Sequence, residues 1–310
     1  MRKYYRIMLG RQSIYAAECF ASGYIGADFD IQEDLSGQLS EDWRDFNKTF
    51  IPKQQALRPG ISKIAAGLAC GSLWVVAKGI QNGDIVLCPT GEGAYRVGEV
   101  TGDYYYAERQ HLQHRRPVRW LERAIDRSAM SEALRGSTGA PGTVSTITHH
   151  DQEIDRLIGV ASIVPASIFA EEEGIEDPVA FAMEKHLEDF LISNWKQTSL
   201  GKEFSIIEVD GEMVGRQFKT DTGPLDILAL SHDKKRYLVV ELKRGRASDV
   251  VVGQILRYIG YIQEEYAEPG QSVEGIIIAL EDDLRLRRAL VTVPAVKFYR
   301  YEVSFKLVKG

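Results

Sequence analysis

The sequence predicts two domains of different fold class: an α+β domain built around a small β-barrel over residues 1–165, and an α/β domain over residues 166–310. At 310 residues, the chain is long enough for two domains of ordinary size. Short strands that alternate with Gly-containing turns predict the barrel. A capped helix, a run of strands, a second helix and a further strand, in that order, predict the α/β domain.

The first domain is predicted to contain both helices and strands. Apolar residues at helical spacing predict helices at Ser40–Phe50, Ile61–Cys70 and Glu122–Leu134. Strands are predicted at Lys3–Leu9, Leu73–Lys78, Asp84–Cys88, Tyr95–Val100, Tyr104–Ala107 and His114–Leu121. A stretch rich in Ser, Thr and Gly around Pro141 then predicts a connector.

The second domain begins with a helix over Val179–Asn194, which Asp177 and Pro178 cap. The predicted strands are Phe204–Val209, Met213–Lys219, Ile227–Leu230, Tyr237–Leu242, Val273–Leu280 and a final strand or hairpin at Val296–Val308. Helices are predicted from Ser248-Asp249 to about Tyr266 and at Glu281–Leu290.

Composition narrows the class of protein. A hydrophobic content of 44% and a charged content of 26% are typical of a soluble globular protein. No run approaches the roughly eighteen apolar residues of a membrane helix, so we expect a cytoplasmic protein that does not bind membranes. The net charge of −6 argues against bulk attraction to nucleic acid, and the three scattered cysteines argue against a disulfide framework or structural zinc.

Three ionisable residues occupy unusual positions in the central strands. Asp226 precedes the first of them, Glu241 interrupts the end of the second, and Lys243 follows two residues later. Because side chains alternate along a strand, Glu241 and Lys243 point to the same face. Each residue alone is explained by a solvated ion pair or a capped turn. Together, two carboxylates and an ammonium predict a divalent-cation site for phosphoryl chemistry.

The spacing of these residues resembles a known nuclease motif. Asp226, a spacer of fourteen residues, and Glu241-Leu242-Lys243 before a helix resemble the PD-(D/E)XK motif, with Pro-Leu-Asp in place of the usual Pro-Asp. The words TGPLDILA, VVELKRGRASD and GQILRYIGY resemble the catalytic domain of NucS-type mismatch endonucleases. The resemblance implies a restriction-endonuclease-like core with the order α-β-β-β-α-β.

The same resemblance implies a ligand set for Mg²⁺ (or Mn²⁺). Asp226, Glu241 and the carbonyl of Leu242 would hold the cation, and Lys243 would orient the attacking water.

Two further side chains are candidates for the catalytic site. Glu184 falls within the apolar stripe of the first helix, and its setting EKHLEDFLISN resembles that of the helix Glu of NucS-type enzymes. Glu188, at the margin of the stripe, is its rival. Gln254 resembles the additional Gln of several nuclease branches, although a plain polar position on the helix flank explains it equally well.

We expect double-stranded DNA as the partner. Five residues near the motif are predicted to contact its backbone: Arg216, Gln217, Arg244, Arg246 and Arg257. Phosphate contacts carry no sequence information, so selectivity is expected from the first domain. One such site cuts one strand, and a double-strand break therefore predicts a homodimer.

The words GDIVLCPTGEGAYRVGEVTGDYYY and RRPVRWL resemble PUA-like barrels of the EVE and SRA kind, which hold flipped bases. The resemblance implies base recognition by aromatic residues, for which the candidates are Trp43, Tyr104, Tyr105 and Tyr106. Packing in the barrel core is the competing explanation for each one. Alternation places Tyr105 opposite its two neighbours, so the three tyrosines cannot all lie in one core.

Three functions follow as hypotheses. The first is modification-dependent restriction of foreign DNA, which the N-terminal barrel favours. The second is a mismatch- or lesion-specific repair endonuclease of NucS type. The third is a non-catalytic nucleic-acid-binding protein, against which the intact Asp226, Glu241 and Lys243 argue.

Overall fold

A computed structural model describes residues 2–159 and 187–302. The chain divides into two compact units, residues 1–167 and 168–310. Within the described ranges, no helix combines the length and the apolar character needed to cross a membrane.

The first unit contains a mixed sheet. Its strands are β1 (Tyr4–Ile7), β2 (Tyr24–Ala27), β3 (Ile85–Pro89), β4 (Ala94–Val100), β5 (Tyr105–Tyr106), β6 (His114–Asp126) and β7 (Val144–Thr146). Within residues 2–159, these strands follow the order β2-β6-β4-β3-β1-β7, with β5 paired to β6. Strands β1 and β3 run parallel, and the other pairs run antiparallel. The sheet confirms an α+β unit, whereas its likeness to PUA-like barrels stays a prediction.

The helices of the first unit are α1 (Ala16–Ser22), α2 (Trp43–Leu57), α3 (Lys63–Trp74), α4 (Glu132–Thr138) and α5 (Asp151–Ile158). The strand predicted at Leu73–Lys78 is wrong, because α3 continues into a π-helical turn at Val75–Gly79. The buried face of α3 thereby extends through Leu73 and Val76. The helix predicted at Glu122–Leu134 is also wrong over its first part, since β6 continues to Asp126 along the ladder with β4. Tertiary packing outweighs local β propensity after Leu73, and strand pairing outweighs local helix propensity at the end of β6.

The second unit contains a mixed sheet of its own. Its strands are β8 (Phe204–Ile206), β9 (Arg216–Thr220), β10 (Gly223–Ser231), β11 (Arg236–Ala247), β12 (Ser272–Asp282) and β13 (Val296–Arg300). The described helices are α6 (residues 187–193), α7 (Val250–Glu265) and α8 (Leu284–Val291). Within residues 187–302, the strand order is β13-β12-β11-β10-β8, with β9 paired to β10. Strands β11, β12 and β13 run parallel, whereas β10 runs antiparallel to its neighbours.

The central strand β11 is buried on both faces, which explains its nearly continuous apolar sequence. One face, with Val240 and Leu242, packs into the cluster around Trp195. The other face carries Val239, which pairs with Gly275 of β12. A Cβ at Gly275 would lie 2.8 Å from the Cδ1 atom of Ile255 in α7, so glycine permits this close approach of helix and sheet. The face that carries Glu241 and Lys243 is therefore the face on which α7 packs.

Candidate active site

Three neighbouring strands place polar side chains in one row. Asp226 lies in β10 directly before Ile227, which pairs with β11 on one side and with β9 on the other. The two ladders therefore bring Asp226 beside Glu241 of β11 and beside Gln217 of β9. The β10–β11 hairpin thus joins the two halves of the predicted motif at one end of the sheet.

Both carboxylate oxygens of Asp226 accept hydrogen bonds from neutral groups. The backbone N–H of Leu242 donates to Oδ2 at 2.7 Å, and Nε2 of Gln217 donates to Oδ1 at 3.0 Å. These bonds fix the direction of the carboxylate. Desolvation by burial nevertheless raises the pKa of Asp226 above its ordinary value. A carboxylate whose charge is so disfavoured gains from a cation beside it.

Glu241 and Lys243 meet on the face of β11 that alternation predicts. Glu241 is 2% exposed, and Nζ of Lys243 lies 3.1 Å from its Oε1 atom. The register of β11 against β12 shifts just beyond Lys243, between this residue and Arg246. The ammonium group is therefore held beside Glu241 at the point where the regular ladder is interrupted.

The helix α6 contributes Glu188, which is 6% exposed. One of its oxygens contacts Nε of Arg216, and Oε2 accepts a hydrogen bond of 2.6 Å from Nε2 of Gln217. Burial raises the pKa of Glu188. Glu184, the preferred helix acid, lies outside the described residues. Its rival Glu188 and Asp226 both accept hydrogen bonds from the side-chain amide of Gln217.

Two residues predicted to contact the DNA backbone have partners inside the unit. Arg216 contacts Glu188 and donates to Oδ1 of Asp189 at 2.6 Å. Gln217 lies between Glu188 and Asp226. Sequence reasoning missed this network because its members are far apart along the chain. Arg246 and Arg257 are exposed, and the side chain of Arg244 lies outside the description.

Gln254 connects α7 to the start of β10 through a second side chain. Its Nε2 atom lies 3.3 Å from the hydroxyl of Tyr258, which donates to the carbonyl of Pro224 at 2.9 Å. Pro224 precedes Asp226 by two residues, so this chain ties the helix to the strand that carries Asp226. Tyr258 itself is one of the buried residues of α7.

The donor set fits a hard divalent cation. Asp226 and Glu241 supply carboxylate oxygens from adjacent strands, and Leu242 lies between Glu241 and Lys243 with its carbonyl as a third oxygen donor. Mg²⁺ is commonly held by one or two carboxylates together with substrate phosphates. Among the described residues, no group of three or more His, Cys, Asp or Glu side chains is arranged to hold a metal ion. The fit therefore depends on two carboxylates and the backbone.

The predicted base-recognition residues of the first unit have different surroundings. The hydroxyl of Tyr104 accepts from the N–H of Leu35 at 3.1 Å and lies 2.9 Å from Nδ1 of His114. Nε2 of His114 lies 2.7 Å from the carbonyl of Ile31, which can only accept. Nε2 therefore carries the proton, and Tyr104 donates to Nδ1. Tyr104 thereby joins a loop to the sheet, and its role in base recognition stays a prediction.

The other three aromatic candidates lie in different surroundings. Tyr105 is 39% exposed, on the opposite side from its neighbours as alternation predicts. The hydroxyl of Tyr106 lies 3.2 Å from Oε1 of Gln113. Trp43 begins α2, and the guanidinium of Arg44 lies 4.6 Å from the centre of its ring. Of the four candidates, Tyr105 is exposed, whereas Trp43, Tyr104 and Tyr106 are partly buried.

Two sequence families match different parts of the chain. Residues 5–148 match a domain of unknown function (DUF8426), and residues 183–300 match the endonuclease NucS C-terminal domain. Endonuclease NucS of Methanocaldococcus jannaschii is 34% identical over 74 residues, which cover 24% of this chain and 27% of that protein. Endonuclease NucS of Methanopyrus kandleri is 34% identical over 86 residues, which cover 28% of this chain and 32% of that protein. The matched stretches span about a third or less of these relatives.

Solved structures show only a distant likeness. A repair endonuclease from Pyrococcus abyssi is 17% identical, covers 69% of this chain and 66% of its own, and has a TM-score of 0.31. An EndoMS–dsDNA complex is 16% identical, covers 68% of this chain and 62% of its own, and has a TM-score of 0.32. The match of residues 183–300 confirms that the C-terminal unit is similar to the C-terminal domain of NucS-type endonucleases.

Proposed function

We propose that this protein is a metal-dependent DNA endonuclease that cuts duplex DNA at mispairs or lesions. The row formed by Gln217, Asp226 and Glu241, with Lys243 beside it, carries the proposal. This row lies within the segment that matches the NucS C-terminal domain, and both curated relatives are named endonuclease NucS. Similarity to these relatives supports repair over restriction.

In the proposed mechanism, Asp226, Glu241 and the carbonyl of Leu242 would hold Mg²⁺ or Mn²⁺. Such a cation would supply a bound water of lowered pKa and positive charge beside the scissile phosphate. The N–H of Leu242 keeps the Asp226 carboxylate in place through its 2.7 Å hydrogen bond. Lys243 orients the attacking water and stabilises the negative charge that grows in the transition state.

Modification-dependent restriction is a second candidate because of the first unit. Residues 5–148 match a family other than NucS, so the relatives do not indicate what this unit recognises. Exposed Tyr105 and partly exposed Trp43 offer faces for stacking on an extruded base. A modified base and a mispaired base would both serve as its ligand in this proposal.

We also propose that the protein acts as a homodimer on DNA. A single site of this kind cuts one strand, and two sites related by a two-fold axis cut both. Sedimentation velocity with catalytically inactive protein should show two chains per duplex. Clean double-strand cleavage by a species that sediments as one chain per duplex would contradict the dimer.

Cleavage of matched duplexes tests the function directly. Full-length protein is incubated in Mg²⁺ or Mn²⁺ with three duplexes of one sequence: fully paired, with one mispair, and with a modified cytosine. We expect preferential cutting of the mispaired duplex and no cutting in EDTA or by Asp226→Asn. Preference for the modified duplex would instead support restriction. Binding without cleavage of any duplex would support the non-catalytic alternative.

A further inference from the structure

We propose that Gln217 is a positioning residue that orients Asp226 for cation binding by clamping it to Glu188. This inference rests on the proposed metal-dependent function and adds a residue to it. The sequence suggested a phosphate contact for Gln217. Its hydrogen bonds indicate another role.

The geometry of the amide supports the clamp. Nε2 of Gln217 lies 2.6 Å from Oε2 of Glu188 and 3.0 Å from Oδ1 of Asp226. An amide nitrogen carries two hydrogens, and both acceptors are carboxylate oxygens. The opposite orientation of the amide would place its oxygen against two acids. The contacts therefore define both the orientation of the amide and its partners.

The charge balance explains why a neutral donor suits this position. Glu188 has a cationic partner in Arg216, whereas the hydrogen bonds to Asp226 come from the neutral groups of Gln217 and Leu242. A Lys or Arg at position 217 would neutralise Asp226 and compete with a divalent cation. The amide fixes the carboxylate and leaves its negative charge available.

The backbone of Gln217 is in the left-handed region, with a φ of 47°. This conformation is uncommon for a residue other than glycine. Gln217 lies between the pairs that Phe218 and Arg216 form with β10, so the ladder holds the residue on both sides. The unusual conformation directs the amide toward the acids, and strain of this kind persists where the surroundings determine it.

Two substitutions separate the donor from the bulk of the side chain. Gln217→Met keeps the length and removes both hydrogens. Gln217→Asn keeps the amide, tolerates positive φ, and is one methylene too short to reach both acids. The matched control is Gln271→Met, which alters an amide that contacts the carbonyl of Lys234.

Calorimetric titration of the full-length protein with Mn²⁺, without DNA, measures the effect. We expect Gln217→Met and Gln217→Asn to weaken Mn²⁺ binding about tenfold or more, as losses of groups that orient metal ligands do. Gln271→Met should bind as the wild type does. Higher Mn²⁺ should partly restore cleavage by the Gln217 variants. Circular dichroism and the melting temperature establish that each variant is folded.

Unchanged Mn²⁺ affinity in folded Gln217→Asn would overturn the clamp, even if Gln217→Met fails to fold. The proposed function is judged separately, by cleavage with the wild type. Mn²⁺ binding that depends on Gln217, in a protein that cuts no duplex, would support the clamp and refute the nuclease. A wild type that does not bind Mn²⁺ without DNA would refute the clamp, and it would refute the nuclease as well if it cuts no duplex.

Discussion

The two units contain buried polar side chains in very different electrostatic settings. In the first unit, the hydroxyl of Tyr104 hydrogen-bonds to His114. The hydroxyl also accepts from the N–H of Leu35, and His114 donates to the carbonyl of Ile31. Burial lowers the pKa of His114, so its neutral form is favoured. This arrangement ties a loop to the sheet.

In the second unit, acids come together instead. Glu188 and Asp226 share the amide of Gln217, and burial raises the pKa of both carboxyl groups. The network includes the cations Arg216 and Lys243, yet burial still disfavours the charge of Glu188 and Asp226. Aromatic residues and acids are therefore informative in different ways: a tyrosine whose hydroxyl is hydrogen-bonded within the fold fits a structural role, whereas a buried carboxylate whose charge is disfavoured is a candidate for function.

The largest expected effect follows from removing the site itself. Asp226→Asn, Glu241→Gln and Lys243→Met should each lower the rate of duplex cleavage by at least about a hundredfold, because each removes a cation ligand or a charge that stabilises the transition state. Circular dichroism should remain that of the folded protein. Full activity in any two of the three variants, or cleavage that EDTA does not affect, would refute the assignment of the site.

The next effect concerns recognition by the first unit. Tyr105→Ala and Trp43→Ala, made in the inactive Asp226→Asn background, should weaken binding to the preferred duplex about tenfold, since base stacking on an aromatic ring contributes about 1–3 kcal/mol. Fluorescence anisotropy compares paired, mispaired and modified duplexes. Fully paired DNA should bind almost equally well to every variant, because phosphate contacts dominate there. Equal affinity for all duplexes before mutation would contradict a recognition role for this unit.

Local sequence predicts some elements of this fold correctly and fails at others. The strands β10 and β11 follow from short apolar runs and the helix α7 from helical periodicity, and all three are present. Asp249, predicted to cap α7, makes no side-chain capping bond. The helix α3 continues past Leu73 because its partners in the core lie elsewhere in the chain. Local β propensity in the valines that follow gave the wrong prediction there.

The candidate active site shows the same limit of prediction from local sequence. Asp226 and Glu241 were predictable because they lie on the two strands of one hairpin, so alternation and spacing suffice. The contact of Glu188 with Gln217 was not predictable, because 29 positions separate the two residues and Gln217 has a positive φ in β9. Neither feature has a signal in the local sequence pattern.

A smaller effect tests the structural role of Tyr104. Tyr104→Phe keeps the ring and removes the hydroxyl that connects Leu35 and His114, which should lower the free energy of unfolding by about 1 kcal/mol. Urea denaturation measures the loss. Tyr105→Phe is the matched control and should unfold as the wild type does, because Tyr105 is exposed. A large loss of DNA selectivity in a fully stable Tyr104→Phe variant would instead make Tyr104 a recognition residue.

The smallest expected effect is a pH dependence of the free energy of unfolding. Its sign differs between an acid whose pKa is raised by burial and an acid whose pKa is lowered by an ion pair. Burial raises the pKa of Asp226, so between its ordinary and its raised pKa the native state binds more protons than the unfolded state. Without a divalent cation, the contribution of Asp226 to stability must therefore fall as pH rises from about 4. The wild type should lose stability relative to Asp226→Asn over this range in EDTA, and Mg²⁺ should offset the loss.

Asp282 is the control with opposite sign, because its hydrogen bond with Arg287 lowers its pKa. Relative to Asp282→Asn, the wild type should gain stability as pH rises. Urea denaturation at several pH values measures both differences, and a flat or rising difference for Asp226 would show that burial does not disfavour its charge.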